Sequence, residues 1–177
     1  MKMIKKTTFV LFVLLTPILC HGQTEKNSTS GIHWMSFTEA LEKTKDHPKK
    51  IYMDIYTGWC GWCKKMDAST FVDPKIVNFI NENFYAVKLD AETKDTITFQ
   101  NKKYSFAPSY KANEIAAYLL NGQMGYPTSV YFDEASNPIT AVPGFNTADQ
   151  LLPILKYFSG DFYKTMKFED FQKEGKN

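Results

Sequence analysis

The chain has 177 residues, with 21 Lys and Arg against 19 Asp and Glu and a formal net charge of +2. None of the basic residues is arginine, so there is no donor for bidentate recognition of phosphates or base edges, and nucleic acid is excluded as a partner. The length suits one domain with an ordinary core.

Residues 1–22 read as a signal peptide. Lys2, Lys5 and Lys6 form a basic start, and Phe9 to Leu15 is an apolar run too short to span a bilayer. Cleavage after Gly22 leaves Gln23 as the first residue. The chain is therefore expected to be exported. Without the three lysines, 18 basic residues face 19 acidic ones, about −1. A lipid anchor at Cys20 is the alternative, although Leu19 is bulkier than lipoprotein processing favours. If Cys20 leaves with the signal, only Cys60 and Cys63 remain, with no structural disulfide framework around them.

Residues 23–31 are polar and read as a flexible leader. A domain is expected over 32–159. Ser36 with Glu39 forms a capping box that opens a helix ending before Pro48. Ile51 to Tyr56 is a nearly continuous apolar strand with Asp54 as its odd member, the pattern of a central strand covered on both faces. A helix follows from about Cys60 to Ser69, and Asp73-Pro74 starts another. Phe84 to Leu89 is a second buried strand. Between 95 and 122, Thr96–Phe99 and Lys103–Phe106 alternate around Asn101-Lys102, which predicts a hairpin, and Asn113 to Leu120 predicts a helix. This segment either walls a substrate groove or decorates the periphery. Thr128 to Phe132 and Pro138 to Val142 are strands joined by a turn. Thr147 with Gln150 caps a helix through Phe158, which Pro153 would kink unless the helix starts later. Residues 160–177 form a C-terminal extension with room for a short helix. The element order predicts an α/β fold, a mixed central sheet flanked by helices.

Trp59-Cys60-Gly61-Trp62-Cys63-Lys64 carries the chemistry. A cysteine at a helix N-terminus meets unpaired N–H groups and the positive end of the helix dipole, which favour thiolate. Cys60 is thus the candidate nucleophile and Cys63, one turn on, the resolving thiol. Such a pair can also close a small disulfide, so redox chemistry needs no cofactor. Two other readings of the pair stand beside this one. Half a zinc site would need partner ligands, yet there is no second Cys-x-x-Cys, and His21, His33 and His47 lie at no finger-like spacing. An inert structural disulfide would leave the flanking tryptophans and Lys64 unexplained.

These residues resemble the thioredoxin superfamily, among the exported thioredoxin-like proteins of bacteria related to the periplasmic domain of transmembrane thiol-reductant carriers. The resemblance covers Ser36 to Phe158. Besides the Cys-x-x-Cys run it rests on Tyr126-Pro127-Thr128, similar to the family's cis-proline loop, on Asp54 six residues before Cys60, and on Gly144 after the last strand. It implies a thioredoxin fold with the 95–122 insertion placed before the cis-Pro loop. It further implies a thiol–disulfide oxidoreductase that reduces protein disulfides and is itself reduced by a membrane thiol-reductant carrier. Asp54 would be a buried acid able to take a proton from Cys63, with Lys88 beside it. Trp59, Gly61, Trp62, Tyr126 and Pro127 would border the substrate groove. An oxidase or isomerase of the same fold, or a redox-inactive module presenting the insertion, remain open. The chain departs from thioredoxin in having Gly61-Trp62 between the cysteines instead of Gly-Pro.

Overall fold

The computed structural model describes residues 31–175. The expected signal peptide, nearly all of the expected leader, and Cys20 lie outside the described residues.

Five strands form the main sheet. β2 (Ile51–Tyr56) is central, with β3 (Tyr85–Asp90) parallel to it on one side and β8 (Thr128–Phe132) antiparallel on the other. β1 (Trp34–Met35) runs parallel to β3 at one edge, and β9 (Pro138–Pro143) pairs antiparallel with β8 at the other. Five of the six β2 residues are buried, because helices cover both faces of the sheet. On one face, Ile51, Met53, Ile55, Val130 and Phe132 meet Phe37 and Ala40 of α1 (Phe37–Asp46) and Ile115 of α4 (Glu114–Leu119). On the other, Tyr52 and Tyr131 meet Met66 of α2 (Gly61–Ser69), Ile76 and Ile80 of α3 (Pro74–Asn83), and Leu151, Leu155 and Phe158 of α5 (Ala148–Ser159). Side chains of this size each contribute roughly 1.5–3 kcal/mol on burial. Among the described residues, no helix is long and apolar enough to cross a membrane.

The helix starts follow from local chemistry. Ser36 Oγ accepts from Glu39 N at 3.2 Å, Asp73 caps α3 ahead of Pro74, and Thr147 and Gln150 cap each other reciprocally. α5 begins at Ala148 despite Pro153. The proline removes one helical donor, while Leu151 and Leu155 on either side of it remain fully buried.

Four features differ from the sequence reading. β1 was not expected, since two residues are too short to show an alternating pattern. The hairpin of β4 (Ile97–Phe99) and β5 (Lys102–Tyr104) turns at Gln100-Asn101, one residue earlier than expected. Both turn residues have positive φ, 48° and 61°, the geometry of a tight hairpin turn. Phe106–Ala107 (β6) pairs with Ala112–Asn113 (β7) in a second small ribbon instead of extending the first. The insertion is not a loose decoration: Ile97, Phe99, Tyr104 and Ile115 belong to the core on the α1 face. Buried Asn113 ties its base, donating to the carbonyls of Thr93 and Asp95. The C-terminal extension is likewise packed. α6 (Phe168–Glu174) lays Phe168 and Phe171 against Tyr157, and buried Lys50 pairs with Glu134 and with Asp161.

Candidate active site

The site sits where β2 ends and α2 begins. Cys60 is the N-cap of α2 and is joined to Cys63 by a disulfide with Cα atoms 5.3 Å apart. Cys60 Sγ accepts a hydrogen bond from the Cys63 backbone N–H at 3.1 Å. That N–H is one of the four donors a helix start leaves unpaired. In the reduced protein the same donor and the helix dipole act on a Cys60 thiolate. Both cysteines are shielded, Cys60 at 5% and Cys63 at 2% exposure. Gly61 opens the helix with empty space beside its Cα.

Two tryptophans flank the disulfide and face solvent, Trp59 at 67% and Trp62 at 57% exposure. Trp59 packs edge-on against Tyr126 at 5.9 Å and donates its indole N–H to Glu92 at 3.1 Å. The Tyr126–Pro127 bond is cis, and Pro127 is buried. Burial, with the Glu92 and Asp90 charges nearby, pushes the Tyr126 phenol up. Trp62 packs against Phe145 at 5.4 Å. Phe145 follows Gly144, whose φ of 99° favours glycine and whose N–H donates to Pro127 O at 2.8 Å. The cis-proline loop and the loop after β9 are thereby stitched together beside the disulfide.

Asp54 lies beneath, on the α2–α3–α5 face of β2, only 1% exposed. Lys88 occupies the paired position on β3, and its ammonium is 3.2 Å from Asp54 Oδ2. This is an ion-pair approach without hydrogen-bond alignment; neither carboxylate oxygen accepts a hydrogen bond among the described residues. Burial pushes the Asp54 carboxyl up to about 6, against the pull of Lys88 and with a push from Asp67. Lys88 also pairs with Asp67 of α2, and its ammonium lies 5.1 Å from each of the Trp34, Tyr56 and Phe71 rings. An acid, a lysine and a second acid thus run from the core beside β2 toward the surface of α2. Among the described residues, no group of three or more His, Cys, Asp and Glu is placed to hold a metal ion.

Every residue singled out from sequence falls in this region: Cys60, Cys63, Trp59, Gly61 and Trp62 around the helix start, Tyr126 and Pro127 facing it, and Asp54 with Lys88 below. Sequence reasoning missed Asp67, Glu92, Phe145 and Lys65. Asp67 had a signal, because it stands four residues after Cys63 and so shares its helix face. Phe145 adjoins the marked Gly144. Glu92 had none, since its partner is 33 residues away.

The comparisons with known proteins agree with this geometry. The family model Thioredox_DsbH, described as a protein of unknown function, DUF255, matches residues 23–156. The thiol:disulfide interchange protein DsbD of Haemophilus ducreyi is 31% identical over 120 residues, 66% of this chain and 18% of that protein. The disulfide bond reductase DsbH of Chlamydia pneumoniae is 31% identical over 75 residues, 41% of this chain and 45% of that protein. The chain spans less than half the length of these curated relatives. A solved DsbH oxidoreductase superposes with a TM-score of 0.56 at 20% identity, covering 78% of this chain and 91% of that one. A thioredoxin from Thermus thermophilus gives 0.54 at 17% identity, covering 71% and 85%. The fold is the thioredoxin fold.

Proposed function

The chain belongs to the Thioredox_DsbH family, and from that premise we propose that it is a thiol–disulfide oxidoreductase that reduces protein disulfides. The observation that carries this reading is the Cys60–Cys63 disulfide closed at the N-terminus of α2, with Cys60 as the helix cap. In the reduced protein the Cys60 thiolate attacks one sulfur of a substrate disulfide. A Cys60–substrate bond forms and the other substrate sulfur leaves as thiolate. The Cys63 thiolate then attacks Cys60 Sγ, closes the internal disulfide and expels the second substrate thiolate. Two electrons pass from the protein dithiol to the substrate.

Cys63 must lose a proton before it attacks. Asp54, a buried acid of β2 whose pKa is pushed up to about 6, is the proposed acceptor, with Lys88 setting its charge balance. Trp59, Gly61, Trp62, Tyr126 and Pro127 form the surface on which the substrate polypeptide lies. The reducing direction is supported by the similarity to the disulfide bond reductase DsbH of Chlamydia pneumoniae. A membrane thiol-reductant carrier is the proposed electron donor. Export to the periplasm belongs to the same proposal, supported by the basic and apolar character of residues 1–22.

Turnover in an insulin-reduction assay tests the activity: Cys60→Ser should abolish it, and full turnover by that variant would end the proposal. The reduction potential tests the direction. A value near −270 mV fits a reductant, whereas about −120 to −180 mV would reassign the chain to oxidase or isomerase chemistry.

A further inference from the structure

The two exposed tryptophans beside the disulfide have opposite electrostatic surroundings. Trp59 is bonded through its indole N–H to the Glu92 carboxylate at 3.1 Å. Trp62 lies under a cation: Lys65, one helical turn later, holds its ammonium 4.8 Å from the Trp62 ring and 5.4 Å from the Phe145 ring. Lys64, also exposed, adds a second positive charge at this end of α2. Asp67, the next acid on the helix, is paired with Lys88. A polypeptide crossing the disulfide therefore meets a negative rim at Trp59 and a positive one at Trp62.

The positive rim is built on a fixed support. Phe145 is pinned on both sides, since Gly144 N–H donates to Pro127 O at 2.8 Å and Asn146 O accepts from Thr70 Oγ1 at 2.6 Å. Two aromatic faces thus hold the Lys65 ammonium at the Trp62 rim. Exposed ion pairs are usually weak because two long side chains must be immobilised. At Lys65 part of that ordering is already present.

We infer that Trp62, Phe145 and Lys65 form a subsite that selects protein substrates carrying an acidic residue within two positions of the reacting cysteine. This rests on the oxidoreductase reading. The occupant is an extended segment whose apolar atoms cover the Trp62 and Phe145 rings while its Asp or Glu carboxylate meets the Lys65 ammonium. A basic residue in the same place is repelled. Lys65 is a specificity residue here, acting on substrate choice and not on the sulfur chemistry.

The test uses the reduced full chain and three peptides, each with one cysteine in a mixed disulfide with a neutral thiol. They differ only in having Glu, Gln or Lys on both sides of that cysteine. Reduction of the Glu peptide should exceed that of the Gln peptide about two- to fivefold, with the Lys peptide slowest, and the spread should shrink as salt is raised. Lys65→Gln should collapse the ratio of rates, and Lys65→Glu should reverse its order. Equal rates for the three peptides, or a preference that survives Lys65→Glu, would overturn the subsite and leave the oxidoreductase reading standing. Failure of the wild type to outpace free cysteine with any peptide would overturn that reading as well.

Discussion

Replacing Asp54 with asparagine isolates the cost of burying one carboxylate. Asp54 is almost wholly buried, and its pKa is pushed from 3.8 up to about 6. The folded protein then holds its proton through a pH range in which the unfolded chain has lost it. Stability from this group is full below pH 4, falls as pH rises toward 6, and is lost above that. About two pKa units correspond to about 3 kcal/mol at neutral pH. Asparagine is nearly isosteric with the protonated acid and does not titrate here. Asp54→Asn should match the wild type near pH 4 and exceed its stability by about 3 kcal/mol at pH 8. Urea unfolding of the two oxidised proteins from pH 4 to 8 reads this as a midpoint gap opening to about 1–2 M. The same variant should reduce insulin more slowly, because the proposed proton acceptor is gone. Parallel stability curves across the pH range, or a wild type that gains stability relative to the variant between pH 4 and 6, would refute the reasoning.

Two further outcomes follow from the same interior. Asp67 adds negative charge near Asp54 and shares Lys88 with it, so Asp67→Asn should move the Asp54 titration, followed by carboxyl NMR, to lower pH; an upward move would contradict the ion-pair arrangement. Tyr131 is fully buried, stacked on Phe158 at 4.1 Å, and its hydroxyl has no hydrogen-bond partner among the described residues. Tyr131→Phe keeps the stack and removes the desolvated hydroxyl, so the variant should gain about 1 kcal/mol in urea unfolding, and a loss of that size would contradict the packing described.

What the sequence made legible was what local patterns encode. The run Ile51 to Tyr56 is apolar because β2 is covered on both faces, and Asp54 stood out because nothing else in it is charged. Ser36, Asp73 and Thr147 marked helix starts because their side chains answer unpaired N–H groups within three residues. The hairpin was found but misplaced by one residue: asparagine suggested a turn, yet the register is set by Phe99 and Tyr104 packing into the core. β1 depends on a partner far along the chain, and the strands of the second ribbon, though near in sequence, leave no periodic trace in two residues each. Of the site's electrostatics, the Asp54–Lys88 pair was expected, while the further partners of Lys88 and Trp59 lie at long range and were missed. Lys88 meets Asp67 across 21 residues and Trp59 meets Glu92 across 33.

The most direct measurement is the pH dependence of iodoacetamide alkylation of the reduced protein, with the modified residue identified by mass spectrometry. The cap position of Cys60 predicts that Cys60 is modified first, with a midpoint at least a unit below the free-thiol value of about 8.5, while Cys63 stays protected. A midpoint at or above about 8.5, or first modification at Cys63, would contradict the assignment of Cys60 as the attacking thiolate.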